Sequence, residues 1–210
     1  MFRRSFLSVS VLAALSLSSG LAVAATDMQA ASLYSPTDVV SRVDATILKS
    51  LRLPSQTPWA TRVAVWNPVI AQTFHIQRVA QLTLGSDLSR LSPAQQSVFR
   101  QDLLRYTVAS YAHNFRNGSV HLTITGHESL QPGTVAVFTR LVTKSGKTHT
   151  LDYLLQDLHH RWGIVNVIAD GVSNLAITKA EYMGLYRTGG FAALNARITH
   201  KTVTLEQDTK

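Results

Sequence analysis

The chain has no cysteine, which excludes disulfides, thiol nucleophiles, iron–sulfur clusters and thiolate zinc sites. Whatever holds the fold together must therefore come from packing and hydrogen bonding. Three catalytic signatures are also missing: there is no H-E-x-x-H pattern, no G-x-S-x-G elbow and no glycine-rich phosphate loop. Negative charge is scarce, with 12 Asp and Glu against 20 Lys and Arg and a formal charge of +8. The basic residues are scattered along the chain, so the surplus reads as a mildly biased, solvated surface. Such a surface is drawn to anionic membranes or acidic partners, and nucleic acid is not an expected partner.

Long apolar runs are missing after residue 25, and what stands before it is distinctive. Arg3 and Arg4 precede a run from Phe6 to Ala25 that is interrupted by serines and closes on the small residues "AVAA". This is the pattern of a secretory signal peptide over residues 1–25, cleaved near Ala24 or Ala25. An uncleaved anchor would need about 20 apolar residues, but the Ala and Ser content and the small-residue end argue for cleavage. Residues 26–210 are then expected to form one exported domain, large enough to bury a sizeable core.

Helix punctuation dominates the first half. "SPTD" at Ser35 to Asp38 supplies an N-cap, a proline and an acid, and Val39, Val40, Val43, Ile47, Leu48 and Leu51 follow at helical spacing. Thr57-Pro58 opens a second helix through Trp59, Val63, Trp66 and Ile70, which Pro68 is expected to kink or restart. A short helix from Ile76 is expected to stop at Gly85. "SPAQ" at Ser92 to Gln95 opens the longest helix, running to about Asn117 before Gly118. Phe99, Leu103 and Tyr106 form one apolar stripe on it, and Leu104, Val108, Tyr111 and Phe115 form a second.

From Val120 the period changes to two. Val120, Leu122 and Ile124 alternate with His121, Thr123 and Thr125, and Val135, Val137 and Leu141 alternate with Ala136, Phe138 and Val142. "THTLDYLLQDL" and "RWGIVNVIA" complete an expected four-stranded antiparallel meander. Its middle strands are apolar on both faces, unlike a sheet with one face in water. Asp170-Gly171 should turn the chain off the sheet. Thr178 to Glu181 then forms a capping box for a helix closed by Gly189-Gly190, and a last helix carries Phe191, Leu194 and Ile198. The fold class is thus α+β, a single domain with helices before and after the sheet.

Candidates for chemistry are few. His159-His160 reads as a solvated turn, since adjacent histidines point apart and no carboxylate sits at ligand spacing. Asp152, Asp157 and Asp170 lie in or near strands and offer at most an acid pair of unknown geometry. No catalytic residue, metal ligand or cofactor is expected.

Three stretches, "YTVASYAHNF", "RWGIVNVIADGVS" and "TKAEYMGLYRTGGFAAL", resemble the MlaC family of periplasmic toluene-tolerance and phospholipid-transport proteins, and within it the hopanoid-associated HpnM branch. Trp162, Val167, Gly171, Val172, Ser173, Glu181 and Gly189 or Gly190 match the family pattern. Asn166 stands where the family usually has aspartate, Lys179 replaces arginine, Ala180 replaces serine and Tyr182 replaces phenylalanine. The resemblance implies a curved sheet and helices enclosing an apolar cavity for acyl chains. It implies a monomeric periplasmic carrier of phospholipid, or of a hopanoid, working between an inner-membrane ABC transporter complex and an outer-membrane lipoprotein complex. The residues placed to cover the tails are then Phe99, Tyr106, Tyr111 and Phe115 on the long helix, with Val137, Leu141, Tyr153, Leu155, Trp162 and Ile164 on the sheet. The rival readings are a docking module with a collapsed cavity and a hydrolase with an unrecognised acid pair.

Overall fold

The computed structural model describes residues 35–208; the expected signal peptide over residues 1–25 lies outside them. In chain order the elements are α1 (Pro36–Leu51), α2 (Trp59–Thr73), α3 (Ile76–Leu84), a 3-10 segment (Gly85–Arg90), α4 (Pro93–Asn114), β1 (Val120–Gln131), β2 (Thr134–Thr143), β3 (Thr148–Asp157), β4 (Trp162–Ala169), β5 (Val172–Ser173) and α5 (Asn174–Gln207). Both capping boxes form. Ser35 Oγ accepts from the Asp38 amide at 3.1 Å while Asp38 accepts from the Ser35 amide at 3.2 Å. Ser92 and Gln95 exchange the same pair of bonds at 3.2 and 2.9 Å.

Pro68 neither kinks nor restarts α2, which runs through it. It sits on the exposed side of the helix, and the carbonyl that its missing N–H leaves free belongs to Ala64, also exposed, where water can serve it. No side chain caps α2. Instead the buried Arg62 donates to the carbonyls of Pro54 at 2.7 Å, Thr57 at 3.3 Å and Arg116 at 3.2 Å, tying the loop before α2 to the end of α4. That end comes at Asn114, three residues earlier than the sequence suggests, and Gly118 at φ 113 turns the chain into β1.

The sheet is antiparallel throughout, in the order β1-β2-β3-β4-β5. It has five strands where the sequence suggests four. Asp170 and Gly171 have φ of 48° and 80°, the two left-handed positions of a tight hairpin turn, so the next two residues return alongside β4 and pair Val172 with Ala169. Asp170 secures the turn by accepting from the Thr150 amide at 2.9 Å and from His149 Nδ1 at 2.6 Å.

Helix α5 starts at Asn174 rather than Thr178. Ser173 Oγ caps it by accepting from the Ala176 amide at 3.1 Å, and Asn166 on β4 accepts from the Leu175 amide at 3.0 Å. Glu181, the acid of the expected box, is engaged elsewhere. The Gly189-Gly190 stop survives as a break inside α5, where Gly190 takes φ 66 and ψ −165. The two arms fold back on each other, since Glu181 on the first meets Arg197 and Lys201 on the second.

Two apolar clusters form the core. In the first, Val39, Val43 and Ile47 of α1 and Trp66 and Ile70 of α2 pack on Val135, Val137, Tyr153, Leu155 and Ile164 of the sheet. The second joins Leu84, Phe99 and Leu103 to Tyr182, Leu194 and Ile198 from both arms of α5. On the opposite sheet face Phe138, Val142 and Leu154 are half-buried. The α2–α3 corner is pinned to β4, where the His75 amide donates to the Ile164 carbonyl at 3.0 Å. The His75 ring lies so close to Gly163 that a Cβ there would come within 2.6 Å of it, so only glycine fits.

Candidate functional site

Helix α4 presents Leu103, Tyr106, Thr107, Ser110, Tyr111 and Asn114 at i, i+3, i+4, i+7, i+8 and i+11, one continuous face of a helix. This face lines a cleft of about 230 Å³. Opposite it stand Phe74 at the end of α2, Ile76 and Val79 of α3, Val165 to Val167 of β4, the first turn of α5 and Lys201. The cleft is the seam between the two apolar clusters: Phe74, Tyr111 and Val167 belong to or pack on the first, and Leu103, Tyr106 and Val79 on the second.

Two local devices shape it. A bulge in β4 pairs Leu154 with Asn166 and Leu155 with Ile164, which leaves Val165 without a partner and turns it to the cleft, as bulges re-aim side chains. Asn166, one of the four residues that depart from the resembled family pattern, also donates to Ser173 Oγ at 3.0 Å and so fixes the α5 wall to the sheet.

Of the ten residues that the sequence reading proposes as tail contacts, the cleft brings together two, Tyr106 and Tyr111. Phe99 is buried in the second cluster. Val137, Tyr153, Leu155 and Ile164 are buried in the first, with Phe115 and Trp162 packed against it, and Leu141 is buried near the end of β2. The sequence reading did not single out Phe74, Val79, Val165, Leu175, Ile177 or Lys201 as lining. Their signal is tertiary, apart from the i, i+3, i+4 run along α4. No carboxylate lines the cleft. Among the described residues, no three His, Cys, Asp or Glu side chains come together as a cation site.

Behind Tyr111 lies a buried polar group. Asp44 of α1, Thr139 of β2 and Tyr153 of β3 each leave a side-chain oxygen without a hydrogen-bond partner. Burial pushes the Asp44 carboxyl up to about 6, with the Tyr153 and Thr139 hydroxyls nearby pulling it back. Burial likewise raises the Tyr111 hydroxyl, and the Asp44 charge raises it further. Because the folded state binds the Asp44 proton more tightly than the unfolded chain, stability is full below about 3.8 and is lost as pH rises through about 6. Asp44→Asn is therefore expected to leave the unfolding midpoint nearly unchanged at pH 4 and to add up to about 3 kcal/mol at pH 8. Urea titrations of both proteins across this range check it, and an offset that does not change with pH would refute the assignment.

The cleft between the sheet and its helices thus combines apolar side chains with polar ones such as Thr107, Ser110, Asn166 and Lys201, a lining suited to holding an amphipathic ligand. The family model described as MlaC protein matches residues 41–200, most of the chain, and the protein belongs to the MlaC family. Among solved structures, the phospholipid-binding protein from Ralstonia solanacearum, determined in complex with a phospholipid, superposes with a TM-score of 0.71 at 15% identity, covering 82% of this chain and 98% of that one. At that identity the likeness is one of fold. No curated protein sequence matches the chain.

Proposed function

We propose that the protein is a periplasmic lipid carrier, exported by residues 1–25, which takes up phospholipid and passes it between an inner-membrane ABC transporter complex and an outer-membrane lipoprotein complex by binding alone, without chemistry on the cargo. The observation that carries this reading is the apolar cleft at the seam of the two clusters, in a fold whose solved relative from Ralstonia solanacearum is described as holding a phospholipid. Each methylene moved out of water is worth about 0.8 kcal/mol, so a soluble carrier must cover most of an acyl chain. The ring faces of Tyr106 and Tyr111 and the side chains of Leu103, Val79, Val165 and Ile177 supply that cover.

The volume limits how this works. Sites for small ligands hold roughly 300 to 1,000 Å³, and the cleft holds about 230 Å³, so cargo enters as the α4–α5 side moves away from β4. The same small volume favours a second reading, a docking module of a membrane complex whose cavity stays closed. A third, carriage of a hopanoid, follows from the resemblance to the HpnM branch and needs a wider opening for fused rings.

Mass spectrometry of the native protein, extracted with organic solvent after purification from a bacterial periplasm, separates the three. Phospholipid in near-equal amount to protein is the expected result. Hopanoid in its place assigns the cargo to the branch. Protein that carries nothing and takes up nothing from vesicles overturns carriage in favour of docking.

A further inference from the structure

The cleft opens where its lining is exposed, at Asn114 on the last turn of α4 and at Asn174 and Ile177 on the first turn of α5. Two large apolar side chains stand at this mouth. Ile177 and Val172 are each 53% exposed, two of the five exposed large hydrophobics among the described residues, so apolar surface concentrates at this rim. Val172 pairs with Ala169 and Ala169 with Leu151, and Leu151 packs on the first apolar cluster. Paired residues share a face, so Val172 stands on the side of the sheet that carries the helices and the cleft.

Cations gather at the same end. Arg116 follows Asn114 by two residues, and its guanidinium donates to the His113 carbonyl at 2.9 Å. The turn between β2 and β3 carries Lys144 and Lys147, both exposed, and it is tied to the rim on both sides. On one side the Lys144 amide donates to the Ser119 carbonyl, just past α4, at 3.1 Å. On the other, the bond from His149 first and the Thr150 amide next hold the Asp170 carboxyl below its usual range, and Lys147 stands close enough to add to that pull. Among the described residues none of Arg116, Lys144 and Lys147 makes an ion pair, and the acid of the two turns, Asp170, is already taken by His149 and the Thr150 amide at 2.6 and 2.9 Å.

We propose that this rim is a membrane-docking surface: Val172 and Ile177 enter the apolar layer of an anionic bilayer, Arg116, Lys144 and Lys147 rest on its phosphates, and the cleft is held open side down on the lipid. A bilayer meets both needs on one surface, with phosphates outermost and hydrocarbon about 5 to 10 Å within. Exposed aliphatic side chains rimmed by cations are the surface that such a layer selects. What the docked cleft does there rests on the carrier reading: an acyl chain leaving the bilayer passes Ile177 directly and does not cross water.

The test floats the exported protein with two kinds of vesicle, phosphatidylcholine alone and phosphatidylcholine with an equal part of phosphatidylglycerol. The wild type is expected to bind the anionic vesicles at least tenfold more tightly, and added salt should erode that preference. Lys144→Gln and Lys147→Gln should each weaken anionic binding about fivefold, the usual effect of one basic residue near such a surface. Val172→Ser should weaken it about tenfold, whereas Val98→Ser, which removes an exposed valine about 24 Å away along α4, should leave it unchanged. Because the chain has no cysteine, Val172→Cys and Val98→Cys each carry a single polarity-sensitive dye. On anionic vesicles the dye at 172 should shift to the blue and the dye at 98 should not. Vesicle binding equal in the wild type and the lysine variants, or a dye at 172 that stays in water while the protein is bound, overturns the surface and leaves carriage standing. Binding that depends on these residues in a protein that extracts with no lipid upholds the surface and overturns carriage. Failure to bind either vesicle overturns the surface, and an acidic protein held through Lys144 and Lys147 instead would assign the rim to a protein partner.

Discussion

Replacing Trp66 with alanine is expected to remove about 3 to 5 kcal/mol of stability and to lower the melting temperature by roughly 10 °C. The indole is fully buried and packs against the rings of Tyr111 on α4 and Phe115 just past its end, with centroids 4.9 and 6.0 Å away. Its Nε1 donates to Ser50 Oγ at 3.1 Å, so truncation also strands a buried hydroxyl of α1. One side chain thereby links α1, α2 and α4, and none of the three can slide to fill the space without breaking contacts elsewhere. Trp66→Phe, which keeps a ring and loses the hydrogen bond, should cost less than half as much. Equilibrium denaturation measures both, and a loss below about 1 kcal/mol for the alanine variant would show that this corner repacks freely.

Ser110→Trp is expected to do the reverse: abolish lipid retention with little change in stability. Ser110 is a small, half-buried residue in the middle of the α4 face, and an indole there would take up much of the 230 Å³ cleft. Because that space is open, the stability change should stay within about 1 kcal/mol. Val137→Trp is the matched control, since Val137 is fully buried against the helices and overpacking costs about 1 to 3 kcal/mol. Lipid extracted per mole of protein and the unfolding midpoint are read on the same preparations. Full lipid content in the Ser110 variant would move the binding space away from α4.

The parts of the fold written in local sequence were readable. Ser35-Pro36 and Ser92-Pro93 announce helix starts because the cap, the proline and the returning acid or amide all lie within four residues. The start of α5 was not readable, because two candidate caps lie within five residues of each other. Asn166, seven residues before Ser173 and on a strand, selects Ser173 by bonding to its hydroxyl and to the Leu175 amide. Strand β5 escaped for the same reason: two residues carry no period, and only the hairpin geometry at Asp170-Gly171 reveals them. The site was half legible. Periodicity identified the apolar residues of α4 but could not tell Phe99, which belongs to a filled core with Leu194 and its neighbours, from Tyr106, seven residues on and only about 20° round the helix, which lines the cleft. The sheet residues Val137, Tyr153 and Leu155 have the pattern that a cavity wall would have, and α1 and α2 cover them.

The neighbour-to-neighbour order of the sheet has a consequence for how the chain assembles. Every strand pairs with the strand made just before it, so the meander can zip up hairpin by hairpin with short loop closures, the quick route for β-structure. Helix α1 has the opposite fate. Val39, Val43 and Ile47 bury themselves in a cluster that includes Ile164 and Val167, residues synthesised more than a hundred positions later. Until β4 is in place, α1 carries an uncovered greasy face, and a chain stalled or cut before that strand would expose it to its neighbours. The vulnerable interval in the life of this molecule is therefore the time between finishing α1 and finishing β4, and aggregation should follow truncations in that window far more than changes in the C-terminal arm.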